Sequence, residues 1–146
     1  VKTGNDVLDT ILTEKSLACK ENNIVVCCVA DGKGLEFLHP IDLYTIFGNA
    51  MDNAIECVKN LQKQEKRQID VLIHRQHQFL IVQIMNPVEE ELEFEDNLPV
   101  TTKHDKAYHG YGLRSIKNSV KKYNGVFQVK IKDGCFCLKI LFPIKE

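Results

Sequence analysis

The sequence predicts an α/β fold, in the form of an α+β two-layer sandwich with one mixed β-sheet and helices on one of its faces. The main observation is the order of the patterns along the chain, which runs helix, strand, helix, two strands, a long polar connection, helix and two strands. A second observation is that neither a repeat nor a linker interrupts this order. The chain of 146 residues is therefore expected to form a single domain covering residues 1–146.

The N-terminal elements are predicted to be a helix and a strand. Asn5 or Asp6 is expected to cap a helix that ends near residues 22–23, since both side chains accept hydrogen bonds from a first helical turn. The apolar, β-rich run 24–30 predicts a buried strand. After a glycine-containing turn, residues 35–38 are expected to form a short strand.

The strongest helical pattern begins at Pro40, because proline suits the first helical turn. Apolar residues then recur in steps of three and four residues, at Leu43, Ile46, Phe47, Ala50, Ala54, Ile55, Val58 and Leu61. The pattern fades in the polar run 62–66. Two strands are predicted next, at 68–75 and 79–85, joined by a turn and stopped by the Asn-Pro pair that follows them.

A long polar connection separates these strands from the last helix. Residues 88–109 carry many charges and few apolar anchors, which is typical of a functional lid or a disordered segment. The next helix is expected to start from the Gly-Tyr-Gly step at 110–112 and to end at 124–125. The chain then closes with a hairpin of strands 126–131 and 135–142.

The composition is that of a globular domain, with 44% hydrophobic and 27% charged residues. A net charge of −1 gives no basic field, so nucleic acid is not an expected partner. No run approaches the ~20 apolar residues that cross a bilayer, and no signal peptide is recognisable. Because the chain begins at Val1 and enters a helical pattern at once, it is expected to be an excised piece of a longer protein.

The six cysteines do not have the C-x-x-C spacing that zinc sites use. Free cysteine packs as a small hydrophobic residue, so buried and reduced thiols are expected. Reduced thiols in turn imply a reducing, cytoplasmic compartment.

A polar stripe interrupts the apolar helix that follows Pro40. Asn49, Asp52, Asn53 and Glu56 are three or four residues apart and share one side of the helix. A solvated outer face would explain charged residues there, but asparagine is a poor helix former, and two asparagines one turn apart need another reason. Neutral side-chain oxygens suit a magnesium ion that keeps its waters and shares phosphate oxygens.

The glycine step at 110–112 is the second candidate feature. Glycine lets a backbone approach a ligand closely, and the first turn of a helix presents free N–H groups that suit phosphate. An ordinary loop before a helix explains a lone G-x-G at least as often. The glycine step is a more specific signal for a nucleotide site when it occurs together with the asparagine stripe.

Together the two segments resemble the GHKL ATPases, a superfamily that includes gyrase and histidine kinases. The run 49–57, NAMDNAIEC, resembles the N box. The run 101–125, TTKHDKAYHGYGLRSIKNSVKKYNG, resembles the second glycine box and the following helix of histidine kinases. The opening GNDVLDTILTEK is similar to the segment after the phosphorylated histidine in the peptide-sensing, quorum-sensing subfamily. The resemblance implies a Bergerat-type mixed β-sheet with helices on one face.

The resemblance implies roles for the stripe and makes ATP and Mg²⁺ the implied cofactors. Asn53 stands at the family's asparagine that coordinates the magnesium of bound ATP. Asn49, the implied catalytic position, stands where ATP-hydrolysing relatives carry a glutamate as general base. An amide cannot take a proton at neutral pH, which favours phosphotransfer over hydrolysis. Asp52 and Glu56 are candidates for positioning the metal or the acceptor.

Two glycine boxes complete the implied site. Where the family's first box reads D-x-G-x-G, this chain has 84–88, IMNPV, in which Asn86 can still accept a hydrogen bond from the adenine amine. Within an implied ATP lid at 88–109 and the box that follows it, the implied nucleotide-binding residues are Lys103, His109, Gly110, Gly112 and Leu113. Gly110 and Gly112 would bring backbone N–H groups to the phosphates, and Leu113 would form the floor of the nucleotide site. Surface exposure is an alternative for the lysine and the histidine.

The resemblance implies the catalytic domain of a sensor histidine kinase, which binds Mg-ATP and transfers the γ-phosphoryl group to a histidine on an upstream dimerisation segment. The histidines of this chain do not fit that acceptor: His39, His74, His77, His104 and His109. The domain is therefore not expected to autophosphorylate alone. The implied partners are the dimerisation segment and a response regulator, in a dimeric full-length protein. The implied location is the cytoplasmic side of a membrane-bound sensor.

Two other functions remain open on the sequence. A GHKL module that only binds nucleotide is favoured by the degenerate first glycine box. A purely structural interaction domain would make the stripe and the glycines parts of the fold. A hydrolysing chaperone or topoisomerase piece ranks lower, because Asn49 replaces the general base.

Overall fold

The computed structural model describes the backbone of residues 2–89, 93–95, 98–100 and 103–144, and the side chains of residues 2–89 and 111–144. The helices are α1 (Asp6–Glu21), α2 (Pro40–Leu43), α3 (Asn49–Val58) and α4 (Lys103–Lys121). The strands are β1 (Val25–Ala30), β2 (Gln68–Gln76), β3 (Phe79–Pro87), β4 (Glu93–Glu95), β5 (Leu98–Val100), β6 (Val126–Lys132) and β7 (Cys135–Pro143). None of the described helices is long and apolar enough to span a membrane.

One mixed sheet of five strands, in the order β1-β2-β3-β7-β6, forms the frame of the molecule. β1 pairs with β2 in parallel, and the remaining pairs of this sheet are antiparallel. Side chains alternate between a buried face and a more exposed one, as Ile69, Val71 and Ile73 do on β2. The predicted α/β sandwich with one mixed sheet is confirmed.

The core lies between the buried face of the sheet and the helices. Its largest fully buried side chains are Phe47, Phe136, Phe142, Leu8, Ile11, Leu35, Leu43, Ile46, Met51, Ile69, Ile73 and Leu80. α1 contributes through a regular apolar stripe, and Asn5 caps it by accepting a hydrogen bond from the Leu8 N–H at 3.0 Å. The predicted cap of α1 and its end at Asn22 are confirmed.

The prediction of a buried strand at 24–30 is wrong in its burial. β1 is an edge strand whose side chains alternate between an exposed and a half-buried face, and Val25 and Val29 on the exposed face are 61% and 69% exposed. Cys27 is exposed on the same face, whereas Cys19 of α1 is buried as expected; all six thiols are free. The short strand predicted at 35–38 is also wrong, because the preceding residues Gly32–Leu35 form a 3₁₀ turn that buries Leu35.

The helix predicted from Pro40 is confirmed, with an irregularity that the pattern did not predict. α2 opens with proline in its first turn, and a π-helical turn (Tyr44–Gly48) then leads directly into α3. A π turn inserts one extra residue into the helix and is frequent at functional sites. Here it ends immediately before Asn49, so it sets the direction in which the polar stripe points.

The last helix begins earlier than predicted. α4 starts at Lys103 instead of at the glycine step, and β4 and β5 form an antiparallel pair before it. The predicted polar connection 88–109 therefore includes β4, β5 and the beginning of α4, and its role as a lid stays a prediction. β3 also runs through the Asn-Pro pair that was expected to stop it and ends at Pro87.

The closing hairpin is confirmed. β6 and β7 are joined by Asp133 and Gly134, whose positive φ angles of 53° and 71° suit a tight two-residue hairpin turn. Asn124, with a φ of 59°, follows the end of α4 in the conformation that terminates helices.

Candidate functional site

The two asparagines of the predicted stripe lie one turn apart on α3, which packs against both α4 and β3. Asn49 is half-buried, and its Nδ2 donates to the Thr45 carbonyl oxygen at 2.7 Å. Asn53 is only 8% exposed, and its amide has no hydrogen-bond partner among the described residues. The fully buried side-chain atoms without a partner are His74 Nδ1 and Asn86 Oδ1 in the described part of the chain, so the Asn53 amide keeps contact with solvent and is accessible to a ligand.

The two carboxylates of the stripe are each paired with a lysine. Asp52 Oδ1 lies 2.7 Å from Lys15 Nζ of α1, and Glu56 Oε2 lies 2.8 Å from Lys59 Nζ on the same helix. Both pairs are partly exposed, so each contributes at most about 1 kcal/mol to stability. The structure gives Asp52 a link to α1; the metal- or acceptor-positioning role of these carboxylates stays a prediction.

Asn86 lies on the buried face of β3 and is 1% exposed. Its Nδ2 donates to the Pro87 carbonyl oxygen at 3.0 Å. Its Oδ1 is buried and has no hydrogen-bond partner. A buried acceptor of this kind costs roughly 1–3 kcal/mol unless a ligand donates to it.

Cys57 lies one turn after Asn53 on α3 and continues the asparagine stripe. It was not among the site residues predicted from the sequence. Burial raises the pKa of its thiol to about 11, although a side-chain hydrogen bond from Asn86 acts in the opposite direction. The thiol is therefore neutral at physiological pH. The signal was present in the sequence, because Asn49, Asn53 and Cys57 are spaced by four residues and share one side of the helix.

α4 covers the beginning of the stripe through Gly112. A Cβ atom at Gly112 would lie 3.2 Å from Asn49 Oδ1, so the glycine permits a close approach of the two helices. Leu113, predicted to floor the site, is 1% exposed and belongs to the core.

The expected helix start at the glycine step is wrong in this structure. Gly110 and Gly112 lie inside α4, where an N–H group donates to the carbonyl four residues earlier. The free N–H groups of the first turn therefore do not belong to these glycines. Lys103 and His109 belong to α4, and their side chains are outside the part of the chain whose side chains are described.

A separate polar cluster fixes the other end of α4. Asp42 of α2, 6% exposed, accepts hydrogen bonds from the Tyr123 hydroxyl and from Lys122 Nζ at 3.0 Å. The Tyr123 hydrogen bond, followed by the contributions of Lys122 and His39, outweighs burial and lowers the pKa of the Asp42 carboxyl. Burial and the bond to Asp42 raise the pKa of Tyr123. This cluster is structural, since it connects the start of α2 to the end of α4.

The asparagine stripe of α3 and Asn86 of β3 both lie in a part of the chain that matches a family model. The family model described as GHKL domain matches residues 38–143 of this chain. The chain is a GHKL domain. The match covers the stripe, Asn86 and α4, and so includes every predicted site residue.

Solved structures of two histidine kinases have the same fold. The nucleotide-free catalytic domain of histidine kinase ThkA is 16% identical, with a TM-score of 0.69 over 97% of the GHKL domain and 93% of that chain. A second nucleotide-free form of the ThkA catalytic domain gives a TM-score of 0.67 and covers 94% of the GHKL domain and 91% of its own chain. Histidine kinase AdeS of Acinetobacter baumannii is 13% identical, with a TM-score of 0.65 over 97% of the GHKL domain and 64% of that chain.

These structural matches establish the fold of the GHKL domain as that of histidine kinase catalytic domains. A comparison with curated protein sequences finds no match. The assignment to the quorum-sensing subfamily stays a prediction. Among the described residues no group of three or more His, Cys, Asp or Glu side chains is placed to hold a metal ion.

Proposed function

We propose that this GHKL domain binds Mg-ATP and transfers the γ-phosphoryl group to a histidine on the dimerisation segment of a two-component sensor kinase. The observation that carries the proposal is the buried, unpartnered Oδ1 of Asn86, which faces the helix that bears Asn53. An adenine base carries an exocyclic amine that donates hydrogen bonds, and this donor satisfies the orphaned oxygen.

Asn53 is the proposed protein ligand of the magnesium ion that accompanies the nucleotide. Asn53 is 8% exposed on α3, and its amide oxygen is a hard, neutral ligand of the kind that Mg²⁺ accepts. One protein ligand is enough, because Mg²⁺ in such sites keeps several waters and takes further oxygens from the phosphates. When bound, the ion neutralises the negative charge of the phosphates.

Asn49 supports transfer to a protein over hydrolysis. Its Nδ2 donates to the Thr45 carbonyl oxygen, so its remaining polar atom is an amide oxygen without basicity in the physiological range. Water at this position receives no general base from Asn49. In-line transfer then depends on how the nucleotide and the acceptor are positioned and on charge neutralisation.

The phosphate-binding role proposed for Gly110 and Gly112 has a structural cost. Both residues lie inside α4, and their N–H groups become available only when the part of the helix before them unwinds. The Mg-ATP complex is therefore expected to contain less helix than the free domain, as measured by far-UV circular dichroism. Unchanged or increased helicity in the complex would exclude these N–H groups from the phosphate site.

The first experiment is a thermal shift titration with Mg-ATP, Mg-ADP and Mg-GTP. A ligand that binds only the folded state at 100 times its Kd stabilises it by about 2.7 kcal/mol. We expect a saturable, magnesium-dependent shift with ATP and ADP and a much smaller one with GTP. The variant Asn53→Ala should lose the shift and keep its melting temperature without nucleotide. Asn118→Ala, at an exposed position of α4, is the matched control and should keep the shift.

The outcomes separate the candidate functions. No shift with millimolar Mg-ATP would overturn the proposal. Unfolding of Asn53→Ala would instead indicate that the stripe is structural. Transfer is then tested with radiolabelled ATP and the dimerisation segment of the same kinase, and acid-labile phosphate on that segment is the expected product.

A module that binds nucleotide without kinase activity is the second candidate. The observation in its favour is that residues 84–88, at the place of the family's first glycine box, contain no glycine and carry Asn86 instead of the aspartate. Mg-ATP binding without any labelled histidine in the transfer assay would establish this alternative.

A further inference from the structure

The outer side of β1 is a free edge of the main sheet. β1 lies at one end of the strand order β1-β2-β3-β7-β6, so no strand of the described residues pairs with its far side. The Val25 N–H group points towards β2 and donates to the Arg67 carbonyl oxygen at 2.9 Å. Because the backbone groups of a strand alternate in direction, the N–H and C=O groups of Val26 and Cys28 point to the free edge. An additional strand could pair with these groups.

β1 has none of the sequence features that usually protect a sheet edge. Its sequence, VVCCVA, contains neither a charged residue nor a proline. The strand at the opposite end of the sheet, β6, carries Lys130 and Lys132. Lysine on an edge strand disfavours the approach of another strand, because pairing would remove water from its charge. Of these two edges, β1 is therefore the one suited to accept a further strand.

The exposed face of β1 is complementary to itself. Val25, Cys27 and Val29 share this face, and the two valines are 61% and 69% exposed. If two copies of β1 run antiparallel about a two-fold axis at Cys27, Val25 of each copy lies opposite Val29 of the other. A shift by one residue would bring an exposed face next to a buried one. A shift by two residues would place Asp31 or Asn23 opposite a valine.

We propose that the free edge of β1 is a self-association surface, through which two copies of this domain join their sheets about a two-fold axis. Val26 and Cys28 of one copy exchange backbone hydrogen bonds with Cys28 and Val26 of the second copy, and Cys27 lies opposite its own counterpart. The surface is the same on both copies, so the assembly closes after two of them. This contact belongs to the domain itself and is distinct from the implied dimerisation segment.

The size of the contact determines how strong the association is. A pair of six-residue strands forms a small interface, and small interfaces belong to weak, reversible complexes. Monomer and dimer should therefore exchange. We expect the weight-average mass of the wild-type domain to rise with protein concentration towards that of a dimer, as measured by sedimentation equilibrium under reducing conditions.

Two double variants that differ at a single position test the pairing. In Val25→Lys/Val29→Lys each introduced lysine lies opposite a lysine of the second copy, whereas in Val25→Lys/Val29→Glu each introduced charge lies opposite its counter-charge. Like charges directly opposite each other destabilise a strand pair, and opposite charges stabilise it. The dimer Kd of the first variant should be at least about tenfold higher than that of the second. Val126→Lys, at an exposed position of β6, is the control and should match the wild type.

Cys27 provides an independent measurement. Residues directly opposite at a non-hydrogen-bonded antiparallel position have Cα atoms about 4.5 Å apart, a distance that a disulfide can span. Diamide, an oxidant that converts two thiols into a disulfide, should therefore link Cys27 of one copy to Cys27 of the second copy. Peptide mass spectrometry should find this pair before any other cysteine pair. Cys27→Ser should run as a monomer on a non-reducing gel after the same treatment.

The outcomes decide the proposal without reference to nucleotide binding. A mass that stays monomeric up to about millimolar protein would overturn it, as would equal Kd values for the two double variants or growth beyond dimers. If the double variants fail to fold, the wild-type cross-link decides: a Cys27–Cys27 disulfide supports the proposal, and a mixture of cysteine pairs overturns it. None of these results depends on Mg-ATP, so the proposed function is tested separately.

Discussion

Gly112 of α4 lies against Asn49 of α3, so closely that a Cβ atom at Gly112 would be 3.2 Å from Asn49 Oδ1. The Asn49 side chain is fixed by its hydrogen bond to the Thr45 carbonyl oxygen and cannot easily give way. A glycine predicted for its contact with phosphate therefore also has a packing role in the free protein.

The first prediction concerns this contact. Gly48 has a helical backbone, and no atom lies within 4 Å of a Cβ atom built there. Gly48→Ala should raise the free energy of unfolding by up to about 1 kcal/mol, since alanine has the higher helix propensity. Gly112→Ala has the same gain in propensity but crowds Asn49, so its unfolding free energy should stay below that of Gly48→Ala in urea denaturation. Equal stabilisation of the two variants would contradict the close contact.

The second prediction concerns Gly125, which follows α4. A Cβ atom there would lie 2.7 Å from Val120 Cγ1 and 3.0 Å from the Leu141 carbonyl oxygen. Because one of these atoms belongs to the backbone of β7, the strand itself must shift. We expect Gly125→Ala to destabilise the domain by about 1–3 kcal/mol. A denaturation midpoint equal to that of the wild type would show that the end of α4 accommodates a methyl group.

The third prediction is a pH dependence of stability caused by Asp42. Its pKa is lowered in the folded state, so it stabilises the protein above its unfolded pKa of about 3.9, and this contribution is lost as the pH falls through the lower, folded pKa. Tyr123→Phe removes the main cause and should cost about 2 kcal/mol at neutral pH. The difference from the wild type should shrink below about pH 4.

The matched control for this cluster is Tyr44→Phe, since Tyr44 is 44% exposed. It should change the stability by less than about 0.5 kcal/mol at any pH. A Tyr123→Phe penalty that stays constant from neutral to acid pH would show that the hydroxyl acts through packing instead of through the Asp42 charge.

The fourth prediction orders the cysteines by reactivity. Cys27 is exposed on the edge strand, whereas Cys57 has a pKa raised to about 11, and Cys19 is buried. Because the thiolate is the reactive form, iodoacetamide near pH 8 should alkylate Cys27 first and Cys19 and Cys57 last, as followed by peptide mass spectrometry. In denaturant all six should react at similar rates. Early labelling of Cys57 in the folded protein would contradict the raised pKa of its thiol.

The N box shows how far the sequence alone leads. The order of helical and strand patterns predicted the fold class, and the resemblance of residues 49–57 and 101–125 to motifs of the GHKL ATPases predicted the family that the comparisons establish. Local patterns carry this information, because helical spacing decides which side chains share a face before any tertiary contact forms.

The burial of β1 and the start of α4 could not be read from the sequence. An apolar run is compatible with a central or an edge strand, and the pairing order of the whole sheet decides which one it becomes. Likewise, Gly110 and Gly112 weaken a helix locally by only about 1 kcal/mol each, which tertiary packing against α3 overrides.

The sequence by itself determined the order of the elements, the caps and turns at Asn5 and Asp133-Gly134, and the asparagine stripe, because each depends on neighbours within one or two turns of chain. Only the tertiary structure decided which atoms of the candidate site remain without partners. The unpartnered Oδ1 of Asn86 belongs to β3, whereas the asparagine stripe belongs to α3, and only the fold brings these two elements together. Whether a buried polar atom has a hydrogen-bond partner depends on the side chains packed around it, and these are known only once α3 lies against β3.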